Sequence, residues 1–231
     1  MRDDRSGPLQ AAFFDRNALE VAPALLGKLL VHEIDAETKI VGRVVETEAY
    51  TGDDAAFHAW GIIDGPTGSV VPSGRGYDLF APPGNAYVYL CYGMYWMLNV
   101  VTEREGVAGC VLIRAVEPIA GINEMYERRP TAANDISLTD GPGKLTMAFG
   151  IDKDHHKQSL CSPPLYFAHG PPPAEAIRTS SRIGITRAVD HQWRYFLEGN
   201  PWVSKGTPSD VAAERRRERH RGRPKRRRNS S

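Results

Sequence analysis

The chain has 231 residues, 41% of them apolar and 25% charged, with a formal net charge of +1. That length and apolar content suit one large domain with its own core, and no stretch approaches the roughly 18 to 20 consecutive apolar residues of a membrane span. The net charge conceals a division: Ser209–Ser231 holds ten Lys/Arg and three acids, a net of +7, which leaves 19 basic and 25 acidic residues, a net of −6, for the rest. Residues 1–10 are polar and contain no apolar run of signal-peptide length. Three separated cysteines, Cys91, Cys110 and Cys161, form neither a CxxC pair nor an even disulfide framework, so a cytoplasmic setting without a thiol-bound metal is expected.

In chain order, Phe13–Ala22 has helical character with Asn17 as a cap, and P-A-L-L-G-K-L-L from Pro23 continues as a helix passing into a strand. Leu29–Ile34 and Ile40–Tyr50 read as strands joined by the polar turn D-A-E-T-K. Thr51–Gly84 is long and rich in Gly, Pro, Ser and Asp, a length that usually signals function or mobility. Ala86–Cys91 and Tyr95–Thr102 form a hairpin with Gly93 at its bend. Cys110–Val116 is a buried strand ended by Glu117-Pro118. Ile119–Arg129 and Gly143–Phe149 read as helices, Ile183–Thr186 and Tyr195–Leu197 as strands. This order lacks regular βαβ alternation and predicts an α+β fold. Three parts are expected: an arm over 1–12, a single domain over 13–208, and a basic tail over 209–231 whose self-repulsion and lack of core residues predict disorder.

Several residues carry possible chemistry. Glu46 and Glu48 share one face of a strand, their Cα atoms about 6.5–7 Å apart, either as a solvated face or as a base with a neighbour; a paired-carboxylate sugar hydrolase uses the same residue types, but nothing else suggests a carbohydrate cleft. Arg114 is a guanidinium inside C-V-L-I-R-A-V-E, where a charge needs a partner such as Glu48. His58 stands in D-D-A-A-F-H-A-W without the spacing of a zinc site. Tyr87 and Tyr89 alternate onto one face, while Tyr92 and Met94 flank the bend glycine and would be exposed, as are side chains that wedge between base steps. D-G-P-G-K-L around Lys144 fails as a phosphate loop because leucines occupy the first-glycine and Ser/Thr positions; Lys144 remains a candidate for a backbone phosphate near a helix start. The basic tail reads as a solvating segment or as a counterion-releasing arm for nucleic acid.

Together these residues resemble the alkyladenine (3-methyladenine, or methylpurine) DNA glycosylase family. The likeness runs from about Phe13 through L-L-G-K-L-L, V-E-T-E-A-Y, P-P-G-N-A-Y-V-Y-L-C-Y-G-M-Y-W-M-L-N, C-V-L-I-R-A-V-E-P, G-P-G-K-L and R-I-G-I to G-N-P-W-V-S. It implies a curved, mostly antiparallel sheet flanked by helices, with a protruding hairpin that inserts into DNA. It implies further that Glu48 is the general base for the water attacking the deoxyribose C1′, that Arg114 positions water and carboxylate, and that the Ile183 carbonyl takes the water's other hydrogen. Tyr50, His58 and Tyr89 would line the pocket and stack on the flipped base, Asn99 would crowd the exocyclic amino group of guanine, and Tyr92 with Met94 would fill the gap in the duplex. In one place the chain departs from the family: Ala59–Pro83 lacks the T-x-R-N segment usual before the hairpin, and Arg75 is the residue available in its stead.

The expected function is a monofunctional glycosylase of base excision repair, acting as a monomer on double-stranded DNA with damaged purines, without cofactor, metal or membrane, in the cytoplasm or on a nucleoid. The alternatives are a damage-binding protein of the same fold that flips bases without cleaving, and an RNA binder driven by the tail.

Overall fold

In the computed structural model, which describes residues 7–60 and 75–221, two short helices open the chain. Helix α1 (Ala11–Phe14) ends before Asn17, whose side chain accepts the Leu19 N–H to cap α2 (Ala18–Leu25). The single helix expected from Phe13 is therefore two, broken by the cap itself. Gly27, at φ 83°, turns the chain into strand β1 (Leu29–Glu33), followed by β2 (Lys39–Thr51). Then come the hairpin β3 (Ala86–Cys91) and β4 (Tyr95–Val101), and the long β5 (Gly109–Ala120). Helices α3 (Ile122–Arg128), α4 (Asp135–Thr139) and α5 (Pro142–Phe149) precede the short strands β6 (Leu165–Ala168), β7 (Ile177–Ser180) and β8 (Arg194–Leu197), and α6 (Ser209–Arg221) follows.

All the strand pairs are antiparallel, in the order β3-β4-β5-β2-β1-β6, with β7 and β8 joined through β2. The fold is thus α+β in one domain. Its curl begins in β2, where the register against β5 shifts on both sides of Glu46; bulges bend a strand and sharpen its twist. The bend lets β2 pair with β1 through Lys39–Arg43 and with β8 through Glu46–Glu48. The main core lies between the sheet and the helices, around Phe14, Leu25, Val44, Ile113, Phe149 and Phe167. A smaller cluster of Phe57, Leu79, Phe80, Tyr87, Val101 and Cys110 has Tyr50 and Tyr89 packed against it.

Other expectations need correction. Strand β5 does not stop at Glu117-Pro118 but runs to Ala120, because Pro118 pairs with Gly42 beside a register shift, where a missing N–H is tolerated. Helix α3 accordingly starts late, after Gly121 at φ 72°. Ile183–Thr186 is not a strand: Ile183 makes one isolated bridge to Pro208, and Gly184 turns away at φ 79°. From residue 8 the N-terminal arm belongs to the body, with Pro8 bridging Ala168 and Leu9 buried. The tail, expected to be disordered, is helical over Ser209–Arg221; alternating Arg, Glu and Ala are good helix formers. Residues 222–231 lie outside the described part, as do 61–74 of the atypical loop, and with them any account of how Arg75 would replace the missing segment. Among the described residues, no helix is long and apolar enough to cross a membrane.

Candidate active site

A cavity of about 610 Å³ opens beside β2, β3 and β5. Tyr50, His58, Tyr89, Asn99, Arg114 and Ile183 all line it, so the structure gathers those sequence candidates into one place. The aromatic wall is continuous. Tyr50 stacks on Phe57 with centroids 6.1 Å apart at 22°, and His58 meets Tyr89 edge-on at 4.5 Å. The His58 ring is held further by Nδ1 lying 3.0 Å from the Tyr87 hydroxyl. Asn99 is fixed at both ends: its Nδ2 donates to the Tyr87 carbonyl at 3.1 Å, and its Oδ1 accepts from the Cys110 thiol at 3.6 Å. Burial pushes the Cys110 thiol well above its ordinary value, so Cys110 is a packing residue and not a thiolate.

Glu48 is fully buried and is not itself among the cavity's lining residues, but three that are, Tyr50, Arg114 and Ile183, touch its carboxylate. Its Oε1 accepts the Ile183 N–H at 2.7 Å and lies 3.2 Å from Arg114 Nη1, while its Oε2 accepts the Tyr50 hydroxyl at 2.9 Å. Burial first, and Glu48 second, raise the Tyr50 phenol well above 10, so Tyr50 stays a donor. These three contacts orient the group.

The closer partner of Arg114 is not Glu48, as expected, but Glu46. Glu46 Oε1 accepts from Arg114 Nε and Arg194 Nε, both at 2.7 Å, and from Ser204 Oγ at 2.8 Å; Oε2 accepts the Ser204 N–H at 2.6 Å. Burial would raise the Glu46 pKa, but Arg114, Arg194 and the Ser204 amide together hold it below the usual carboxylate value. For Arg114, burial pulls the other way and is outweighed by Glu48 and Glu46, so the guanidinium stays charged. Glu46 therefore anchors the arginine that also meets Glu48.

A second buried pair was not foreseen. Arg182 and Asp54 are both inaccessible, bonded through both guanidinium Nη atoms, and Arg182 Nη1 also donates to the Ala49 carbonyl at 3.0 Å. The guanidinium carbon lies 4.5 Å from the Tyr50 ring centroid and 5.1 Å from that of Trp193. Nothing in the polar contexts D-D-A-A and S-R-I-G distinguishes such a pair from solvated loop residues. Ile183, next to Arg182, leads into Gly184, Ile185, Thr186 and Arg187, which also line the cavity.

The hairpin tip stands at the cavity edge. Tyr92 lines it and is 83% exposed, with Met94 at 66%. The turn closes by a bond from the Met94 N–H to the Cys91 carbonyl, with Tyr92 at φ 51° and Gly93 at φ 69°, both positive as a type I′ turn requires. A bulky residue with positive φ is a strained choice. Lys144 is on α5 close to this hairpin, where a Cβ on its neighbour Gly143 would meet Tyr95 at 2.8 Å; its ammonium is held by Asp140 at 2.6 Å. Among the described residues no group of three or more His, Cys, Asp and Glu is arranged to hold a metal ion.

An antiparallel sheet carrying such a cavity can enclose a flat ring against aromatic faces beside a held carboxylate. The chain belongs to the methylpurine-DNA glycosylase family, whose sequence model matches residues 12–201. A relative from Salinibacter ruber is 52% identical over 204 residues, covering 87% of this chain and 98% of its own. Relatives from Chlorobaculum tepidum (42% over 212 residues, 90% and 96%) and Clostridium tetani (46% over 209 residues, 85% and 98%) are similar too. Each of the three is named "Putative 3-methyladenine DNA glycosylase".

Proposed function

We propose that this chain is a monofunctional DNA glycosylase that takes an alkylated or deaminated purine out of the duplex and hydrolyses its N-glycosidic bond. The observation that carries this reading is Glu48, buried and held through the Ile183 amide, the Arg114 guanidinium and the Tyr50 hydroxyl by three residues that line an aromatic cavity. In the proposed reaction a water accepted by Oε2 loses a proton to Glu48 as its oxygen bonds to C1′. The C1′–N electron pair leaves with the base. A purine made cationic by alkylation departs neutral and stacks well on electron-rich faces; a neutral lesion such as hypoxanthine needs a proton on the leaving base, and among the described residues no carboxyl group lines the cavity to give it. Among the described residues no lysine lines the cavity, which favours water over an amine nucleophile.

Extruding a base costs roughly a few kcal/mol, least for damaged or mispaired ones. Tyr92 and Met94, exposed at the tip beside the cavity, are the side chains suited to fill the gap. Asn99, fixed at both ends, is the group suited to exclude the amino group of guanine, and Lys144 remains a candidate for a nearby phosphate. The substrate would be double-stranded DNA bound by a monomer, without a cofactor.

The test is single-turnover excision on duplexes bearing 3-methyladenine, 7-methylguanine, hypoxanthine or ethenoadenine, comparing wild type with Glu48→Gln. Free base released by the wild type alone supports the reading, and the lesion order describes the pocket. Lesion-specific binding with no release from any duplex would instead make the chain a damage recogniser.

A further inference from the structure

We propose that Asp54 and Arg182 decide how strongly the cavity favours a cationic purine over a neutral one: Arg182 lies against the Tyr50 ring, and Asp54 cancels its charge. This rests on the glycosylase reading, in which a flipped base packs against Tyr50. It makes specificity-determining residues of two side chains that are not among those lining the cavity.

The contact is close. The guanidinium carbon is 4.5 Å from the Tyr50 centroid, inside the roughly 6 Å over which an aromatic face holds a cation. A ring that already carries one cation attracts a second less, and a bare guanidinium there would repel a base made cationic by alkylation. Asp54 removes that repulsion. Its Oδ1 accepts from Arg182 Nη2 at 3.0 Å, its Oδ2 accepts from Nη1, and both side chains are inaccessible to water. Buried charges are screened little by solvent, so the cancellation falls to the partner.

The rest of the wall is balanced in the same way. Three acids and three arginines are buried at or just behind it: Glu46 and Glu48 share Arg114, Glu46 also meets Arg194, and Asp54 meets Arg182. Their charges sum to zero. Removing the charge of Asp54 leaves a net of +1, placed against the ring that is to receive the base. Both partners are felt on the lining itself. Burial and Glu48 raise the Tyr50 phenol while Arg182 pulls it down; burial raises the Cys110 thiol, which Arg182 pulls down and Asp54 pushes up.

Asp54 also has a local role, since its Oδ1 accepts the Ala56 N–H at 2.9 Å in the turn that leads to His58. An asparagine would serve that turn as well; only an acid also neutralises Arg182. A base in van der Waals contact with Tyr50 would carry its charge about 8 Å from the guanidinium carbon. At an effective dielectric of about 20, an uncompensated charge at that distance weakens binding of a cation about thirtyfold and leaves a neutral base untouched.

Two duplexes of one sequence read charge alone. One carries 7-methylguanine on a 2′-fluoro sugar, which slows loss of the base, and the other carries 7-methyl-7-deazaguanine, a neutral base of the same shape. Fluorescence anisotropy gives the ratio of cationic to neutral affinity for wild type, Asp54→Asn, Asp54→Ser and Asp54→Asn/Arg182→Gln, each checked for folding by circular dichroism. Asp54→Ser gives water room beside the guanidinium and decides the matter if Asp54→Asn does not fold. The expected ratio falls about ten- to thirtyfold in Asp54→Asn and at least about threefold in Asp54→Ser. In the double variant, which carries neither charge, it returns to within about twofold of wild type. An unchanged ratio in the folded single variants would overturn the proposal. So would an equal fall in the double variant, because the loss would then follow shape and not charge. Release of 7-methylguanine from an ordinary duplex by wild type is measured alongside. No release, with ratios that still respond as expected, would sink the glycosylase reading and leave the charge selection standing; release with an unresponsive ratio would do the reverse.

Discussion

The amide of Ile183 donates to Oε1 of Glu48 at 2.7 Å, joining residues 135 positions apart in the chain. With Arg114 on the same oxygen and the Tyr50 hydroxyl on Oε2, it fixes the plane of the carboxylate. The Ile183 carbonyl, expected to take a hydrogen from the attacking water, belongs to the same residue, so one loop position would orient both base and nucleophile.

In Glu48→Gln the amide oxygen can still accept from Ile183, while the side chain can no longer take a proton. We expect the single-turnover rate on a 7-methylguanine duplex to fall at least about a hundredfold, the usual scale for losing a general base. Lesion affinity, measured by fluorescence anisotropy, should remain within about threefold of wild type. A variant that cleaves at the wild-type rate would remove Glu48 from the chemistry.

Tyr92 offers a trade between stability and function. Its φ of 51° disfavours any side chain, and its ring is 83% exposed, so it gains little from packing. Tyr92→Gly relieves the strain, partly offset by the greater freedom of glycine in the unfolded chain, and should stabilise the fold by up to about 1 kcal/mol in urea unfolding. The same variant should bind and cleave lesion duplexes less well, because under the proposed function Met94 alone would then be left to fill the gap in the duplex. Loss of stability without loss of excision would remove Tyr92 as the wedge.

Much of this site was legible because its residues contradict their local context. Arg114 is a charge in a run of buried strand residues, Tyr92 is an aromatic at a bend, and Glu48 sits beside Tyr50 in a β-branched strand. The Arg182–Asp54 pair was not legible, since each residue lies in a polar loop where a charge is ordinary and only the fold brings them together. Glu46 was visible as the neighbour of Glu48 on one strand face, and both acids meet Arg114, but its place as the nearer partner of that arginine, shared with Arg194 and Ser204, depends on contacts that only the fold makes. Strand β5 was cut short for a related reason, because a proline rule that holds in regular ladders yields at a bulge.

The Arg182–Asp54 pair ties Tyr50, the Asp54–His58 turn and the Ile183 loop to one buried guanidinium. Arg182→Ala would leave Asp54 buried without its cation, which costs about 3–5 kcal/mol. The expected result in urea unfolding is a midpoint shift of that size with an unchanged slope. A shift below about 1 kcal/mol would show that Asp54 reaches water or another donor once Arg182 is gone.

Stability should also fall on mild acidification through His32. This residue is buried on β1, with Nδ1 2.7 Å from the Phe149 carbonyl and Nε2 3.4 Å from Nε2 of His155. Burial lowers its pKa below 6.5, and His155 and Arg128 add to the effect, against the Phe149 carbonyl and Asp152, which oppose it. Below pH 6.5 the unfolded chain therefore binds a proton that the folded chain refuses, and unfolding is favoured as pH falls. The contribution is fully present above pH 6.5 and is lost as pH drops toward the depressed native value. His32→Asn keeps a donor for the Phe149 carbonyl but cannot titrate. Thermal midpoints measured from pH 8 to pH 5 should decline less steeply below pH 6.5 in this variant than in wild type; parallel curves would mean that His32 is as easily protonated in the folded chain as in the unfolded one.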